Sequence, residues 1–217
     1  SHRGSAWVYD NARVSGKAHV LDNAQVLGNA RVFGNAEVSG NARVLGSAWV
    51  YDNARVLGKA LVLDNTSVSG NAWVYDNARV YQKTRVFGNA EVSGNAIIYG
   101  NARVSGNARV SGNARVFDNA EVSGNARVLS SAWVHNNARV YQQARVFGNA
   151  RISGNAHVLD NARVLDNAEV FGDTLVSCNA RVSGNAIIYG NARVSGNAQI
   201  SDNASISSNS DYITVSL

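Results

Sequence analysis

The chain contains no proline and no methionine, only one cysteine and four threonines, and nothing approaching the ~20 consecutive apolar residues that would cross a membrane as a helix. No charged-then-apolar leader precedes the first repeat, so neither export nor a membrane partner is signalled. The lone Cys178 cannot form a disulfide within the chain, which fits a reducing, cytoplasmic setting. Scarce threonine argues against the flat threonine array of an ice-binding face. The opening SHRGSAWV enters a repeat part-way and without an initiator methionine, the pattern expected of a segment cut from a longer chain.

What is present is a period of six. Stepping by six from Val8, all 34 positions to 206 are Val or Ile, and the residue two before each is Ala in 31 cases and Thr at 66, 84 and 174. The unit reads Ala, x, Val, y, Gly or Asp, Asn, without insertion or deletion. Alternation of small apolar and variable residues is the period-2 pattern of a strand with one buried face, Ala and Val inward, x and y outward. A helix is excluded, because a six-residue repeat cannot hold Val on one side at 3.6 residues per turn. At the corner, Asn fills 27 of the 34 second positions and is expected to take the positive-φ conformation of the bend, which it tolerates better than other side chains.

Three hexads close one coil. A side of about six residues spans roughly 15–18 Å, and a triangle of such sides has an inradius near ~5 Å that Val and Ala fill. A square would leave a central void that close-packed interiors do not tolerate. Positions 18 apart therefore stack on one face.

The pattern [Val/Ile]-x-[Gly/Asp]-Asn-Ala-x resembles the hexapeptide repeat of left-handed parallel β-helices, best known from bacterial acyltransferases, across residues 5–206. The phrases GSAWVYDNARVSG and SGNAIIYGNARVSGNA resemble those of bacterial and prophage hexapeptide-repeat solenoid proteins. The left hand of the coil is what this resemblance implies. The expected fold is thus all-β, a single-stranded left-handed parallel β-helix of triangular section with about eleven coils and no inserted loops. Residues 1–5 read as a leader or linker remnant, 6–206 as the solenoid, and 207–217, where YITV shifts the alternation, as a cap or the start of another domain.

Chemistry is sparse. The hexapeptide acyltransferases act through loops that break the repeat and a histidine at a subunit boundary, and no loop breaks this repeat. His2, His19, His135 and His157 are isolated outward residues too far apart in sequence to share a metal. Nine corner aspartates scatter over the three corner series and form no calcium ladder. No catalytic residue, metal or cofactor is expected, and a structural scaffold is the leading reading, with a polyanion binder second and an acyltransferase-like enzyme third.

Specificity is left to x and y. On the face that begins with Trp7, the y positions run Tyr9, Leu27, Leu45, Leu63, Tyr81, Tyr99 and Phe117 before His135, and Trp7, Leu61, Ile97 and Trp133 add apolar x positions. In all, 14 of 24 outward residues there are apolar, against seven of 22 on each other face. Cross-strand ladders account for part of this. A contiguous strip is otherwise expected to be covered by a second copy of the chain, a dimer being favoured, or by a further domain. Unpaired strand edges make end-to-end stacking a second mode of association. On the third face Arg109, Arg127, Arg145, Arg163 and Arg181 stack on successive rungs. With a net charge of +5, such a ladder could follow a polyanion such as nucleic acid.

Overall fold

The structure, a computed structural model, describes residues 4–207 and the backbone of 212–215; the expectation for His2 lies outside these residues. Every described element is a β-strand, and all but two are two residues long, as in Trp7–Val8, Arg13–Val14 and His19–Val20. They assemble into three parallel sheets, with about eleven turns of about 18 residues. The strands are short because each contains only x and Val before the chain reaches the next bend.

The chain forms two compact units, Ser1–Asn107 and Ala108–Leu217. In the first, one sheet pairs Trp7 with Gln25, a second pairs Arg13 with Arg31, and a third pairs His19 with Glu37, each partner 18 residues on. In the second, the same step pairs Arg115 with Trp133, Glu121 with Arg139 and Arg109 with Arg127. Eighteen residues therefore close a turn in both. The strand Tyr212–Val215 pairs with Arg193–Gly196 at an offset of 19, Arg193 facing Tyr212.

Inside each unit the anchors stack on one another. Every Val or Ile anchor from Val20 to Val194 is fully buried, as are nearly all the alanines beside them. Burial of one such side chain contributes less than the ordering of its six residues costs. One coil cannot stand alone, so the backbone ladder and the neighbours above and below must supply the difference. Three N–H groups per hexad serve that ladder, as where Arg31, Phe33 and Asn35 donate to the carbonyls of Ala48, Val50 and Asp52 at 2.9, 3.0 and 2.7 Å.

The corner corrects one expectation. Positive φ belongs to the residue before Asn: every described Gly or Asp at that position, together with Gln82, Ser130, Asn136, Gln142 and Cys178, has φ between 58° and 83°. Asn is selected for another reason. Its side-chain amide donates to the amide oxygen one coil on, giving the run Asn35, Asn53, Asn71, Asn89, Asn107 with distances of 3.1, 3.1, 3.0 and 2.9 Å. Only a side chain that both donates and accepts can extend such a run. The run through Asn137 and Asn155 reaches Asp173, which accepts at 2.7 Å and has no amide to pass on.

Gly and Asp solve the positive-φ position differently. At Gly148 a Cβ would lie 2.7 Å from the Asp166 nitrogen. At Asp166, in the same corner series, a side chain is accommodated at φ 61°, and its carboxylate accepts from the Gly184 N–H at 3.1 Å. The same contact recurs from Asp10, Asp22, Asp52 and Asp76 to a glycine 18 residues on. Every corner aspartate but Asp202 is thus a backbone cap on the next coil.

Thr replaces Ala at three inward positions. Thr84 Oγ1 donates to the Tyr81 carbonyl at 2.9 Å and Thr66 Oγ1 approaches that of Gln82 at 3.5 Å, whereas Thr174 Oγ1 is buried with no partner. An unsatisfied buried hydroxyl costs about 1–3 kcal/mol, more than the roughly 0.8 kcal/mol that its methyl contributes. Thr174→Ala is expected to raise stability by about 1 kcal/mol, read as a higher denaturant midpoint with unchanged slope; Thr84→Ala, which breaks a made bond, should lower it.

Candidate functional site

Since the interior is uniform, any site is built from x and y side chains, and their rungs determine which of them meet. In the first unit, Tyr9, Leu27, Leu45, Leu63, Tyr81 and Tyr99 occupy six successive rungs of one sheet, their N–H groups donating to successive coils through Tyr81. Trp7, Leu61 and Ile97 lie on the same face. Mutual stacking leaves Leu27, Leu45, Leu61, Leu63, Tyr81, Ile97 and Tyr99 half-buried, and Tyr81 and Tyr99 stack with ring centroids 5.3 Å apart. Trp7 and Tyr9 remain 62% and 67% exposed. Phe117 and Trp133, the further members of this series, belong to the second unit, where Phe117 stacks on His135 at 4.7 Å and meets the Trp133 edge at 6.1 Å.

The arginine column also forms, wholly within the second unit. Arg109, Arg127, Arg145, Arg163 and Arg181 pair in direct register and all are exposed. The ion pairs formed by Arg139 with Glu121 and by Arg151 with Glu169 belong to other faces. Among the described residues no carboxylate reaches Arg127, Arg145, Arg163 or Arg181.

The three described histidines are dispersed. His19 is exposed and His135 is the ring stacked on Phe117. His157 Nδ1 lies 3.4 Å from the Tyr141 hydroxyl, and partial burial, helped by the Arg139 charge, lowers its pKa. On the same ground Tyr141 is pushed upward by burial, with Asp160 adding to the shift. Tyr75 is raised by burial and by the hydrogen bond that its hydroxyl donates to Glu91. Among the described residues no three His, Cys, Asp or Glu side chains group as metal ligands.

A feature that face counts miss lies on the second sheet of the first unit. A cavity of about 570 Å³ opens there, lined by Trp49, Tyr51, Ser67, Ser69, Arg85 and Phe87 together with the corner residues Ser47 and Asn65 and the inward Thr66. Its floor is the rung Ser67–Ser69 and its walls are the rungs on either side. The signal was available in the sequence: arranged by eighteens, serine stands at both outward positions of one rung between two aromatic ones. Counting apolar residues per face averaged it away.

A family model, the YdcK beta solenoid repeat, matches residues 6–22, 36–52, 98–108, 108–122, 120–136, 144–160, 180–196 and 188–202, together more than half of the chain. The chain belongs to the YdcK β-solenoid repeat family. No curated protein matches the sequence. Among solved structures, the UDP-N-acetylglucosamine acyltransferase of Arabidopsis matches with a TM-score of 0.51 over 86% of this chain and 67% of that one, at 12% identity. At that identity the likeness describes the fold, consistent with the hexapeptide resemblance, and assigns no chemistry. The YdcK repeat match runs through both units, including the rung of Tyr99 and that of Trp133.

Because burial holds His157 neutral in the folded chain while the unfolded chain titrates near the usual pKa of ~6.5, the unfolded state takes up the proton first as pH falls. The contribution is fully present above about pH 6.5 and is lost as pH drops through that value toward the lower folded pKa. Wild-type stability is expected to fall over this window in denaturant titrations, and His157→Gln should flatten that part of the profile.

Proposed function

We propose that the chain is a non-catalytic structural solenoid, a rigid scaffold that docks a second copy of itself through the apolar face of its first unit. The observation that carries this reading is the column from Tyr9 to Tyr99, six rungs of one sheet with an aromatic or leucine at y and Leu61 and Ile97 beside it. A sheet with such a face buries it by packing against another sheet at ~10 Å. Two features support the absence of catalysis: no histidine, cysteine or carboxylate lines the cavity on the second sheet, and the described histidines do not converge. Sedimentation of the wild-type chain is expected to give a dimer at micromolar concentration. The double substitution Leu45→Arg, Leu63→Arg should give a monomer, its self-association weakened at least ~30-fold, the effect of losing about 2 kcal/mol of interface. Its thermal transition should remain cooperative, because both side chains point outward. A wild-type chain that stays monomeric at every concentration would reject the reading.

A second reading is favoured by a separate observation, the four exposed and unpaired arginines Arg127, Arg145, Arg163 and Arg181 in direct register. Spaced ~4.8 Å apart, they form a cationic line suited to a polyanion. Binding to duplex DNA should then weaken steeply with salt. Arg145→Ser with Arg163→Ser should reduce the log–log salt slope by about two, close to one per phosphate contact removed.

A further inference from the structure

Along the y column, the gap over Ser69 is one ring wide, within a cavity of about 570 Å³. Within each unit, ring-bearing y residues on adjacent rungs stack at four places: Phe33 on Tyr51 at 5.0 Å and 5°, Tyr81 on Tyr99 at 5.3 Å, Phe117 on His135 at 4.7 Å and Phe171 on Tyr189 at 5.6 Å. On the second sheet of the first unit the y column runs Phe33, Tyr51, Ser69, Phe87. Tyr51 and Phe87 are therefore two rungs apart, about 9.6 Å, and a flat ring between them would sit ~4.8 Å from each. Ser69, the floor beneath that ring, is only 8% exposed, while Phe87 on one wall is 39% exposed.

The x column repeats the vacancy. Trp133 in the second unit lies between two guanidinium groups, with Arg115 and Arg151 at 4.9 and 5.2 Å from its ring. Trp49 has Arg31 at 5.0 Å on one side, and its neighbour on the other side is Ser67, too short to cover the indole. Trp49 is accordingly 43% exposed. Among the described residues Ser67–Ser69 is the only rung with serine at both outward positions and a strand on each side. At Ser153, also a y serine flanked by rings, the x residue is Arg151, which covers Trp133 and pairs with Glu169 at 3.7 Å. At the Ser67–Ser69 rung the x side is spanned only by the long hydrogen bond that Ser67 Oγ donates to the Tyr51 hydroxyl at 3.4 Å, and the y side over Ser69 is open.

Charge selects among flat ligands. The outward x positions of this sheet in the first unit are Arg13, Arg31, Trp49, Ser67, Arg85 and Arg103, and neither its x nor its y positions include a carboxylate. The nearby corner carboxylates are engaged, Asp52 by the Gly70 N–H at 3.0 Å and Asp64 by the Gln82 N–H at 3.1 Å. A planar cation such as a guanidinium would be repelled. A planar ring carrying an anion is favoured, the ring stacking on the aromatic walls and the anion facing Arg85 and Arg103, which are in direct register. Asn65 supplies an amide at the edge of the ring, and the Ser67 hydroxyl, which donates to that of Tyr51 at 3.4 Å, keeps its oxygen as an acceptor.

We infer that this slot binds a nucleotide, its base inserted over Ser69 between Tyr51 and Phe87 and its phosphate held by Arg85 and Arg103. The same chemistry is offered by a free nucleoside monophosphate and by one residue of a single strand, for which stacking platforms among arginines are the general solution. It requires an unpaired base, so duplex cannot enter. This separates it from the arginine column of the second unit, which would read phosphate alone.

The test uses the full chain with four probes: adenosine monophosphate, a fluorescein-labelled single-stranded oligonucleotide, the same sequence as duplex, and a neutral oligosaccharide. Saturable binding of the monophosphate identifies the free nucleotide as ligand; binding of the strand without the monophosphate identifies the single strand. Ser69→Tyr is the decisive variant, because it completes the Phe33–Tyr51–Phe87 ladder with a residue that other y positions carry and should keep or raise the thermal midpoint. It is expected to weaken binding by about tenfold or more, the loss of one stacked base. Ser123→Tyr, on the other unit, should leave binding unchanged, as should Arg145→Ser with Arg163→Ser where the probe is the monophosphate. Unchanged monophosphate binding in the Ser69→Tyr chain, equal affinity for strand and duplex once Arg145→Ser and Arg163→Ser have weakened the arginine column, preference for the oligosaccharide, or no saturation by monophosphate or strand at millimolar concentration would each overturn the inference.

Discussion

A bend at a residue with positive φ, repeated every sixth position, sets everything else in this molecule. It allows only two strand residues between corners, so no side of a coil can widen into an independent sheet. It also brings the chain back over itself after 18 residues, as the pairing of Trp7 with Gln25 and Arg109 with Arg127 shows. A left-handed backbone conformation is unfavourable for most side chains by roughly 1–2 kcal/mol, and the chain meets that cost in two ways. Glycine removes the side chain that causes it, and aspartate offsets it by accepting the N–H of the next corner, as Asp166 does from Gly184 at 3.1 Å. The amide run of Asn35 to Asn107 then ties successive corners together where the main-chain ladder leaves their side chains free.

Outside the tube, a residue has two important neighbours, 18 before and 18 after. Its exposure is therefore a property of the column more than of the residue. Trp133 and Trp49 are the same side chain at the same point of the hexad, yet two arginines cover the first and one covers the second. Leu165 is only 3% exposed although it occupies an outward position, with Phe147 and Ser183 on the neighbouring rungs of its column. Recognition on such a surface arises from rungs that depart from the local trend, either by continuing apolar for many steps or by interrupting a ladder once.

Most of the architecture was legible because the signal was repeated. One Val-x-Gly-Asn unit is ambiguous, but 34 in unbroken phase determine strand, bend and closure. The arginine column and the apolar column followed once closure after 18 residues was assigned. The corner was read one residue out of place, since propensity for positive φ is shared by Gly, Asp and Asn and does not say which of two adjacent residues takes it. The use of Asn depends on an amide one coil away, information present in the sequence only after the coil has been built. The Ser67–Ser69 slot was missed for a related reason: serine at y is common in this chain, and it becomes a site only between Tyr51 and Phe87.

The strand at Tyr212–Val215 shows how strict this dependence on phase is. Its offset from Arg193–Gly196 is 19, one more than elsewhere, and yet Val194 still faces Ile213. An extra residue within a strand would exchange inward and outward positions, placing a polar residue in the valine column. Added between strands it leaves the alternation of each strand intact. Extra residues can therefore enter this fold only where the chain turns, and the outward positions can vary freely so long as the count between bends holds. Interior and exterior are decoupled by that rule: the first is fixed by packing and backbone pairing, and the second is available for a column of leucine and tyrosine on one face and a ring-sized gap on another.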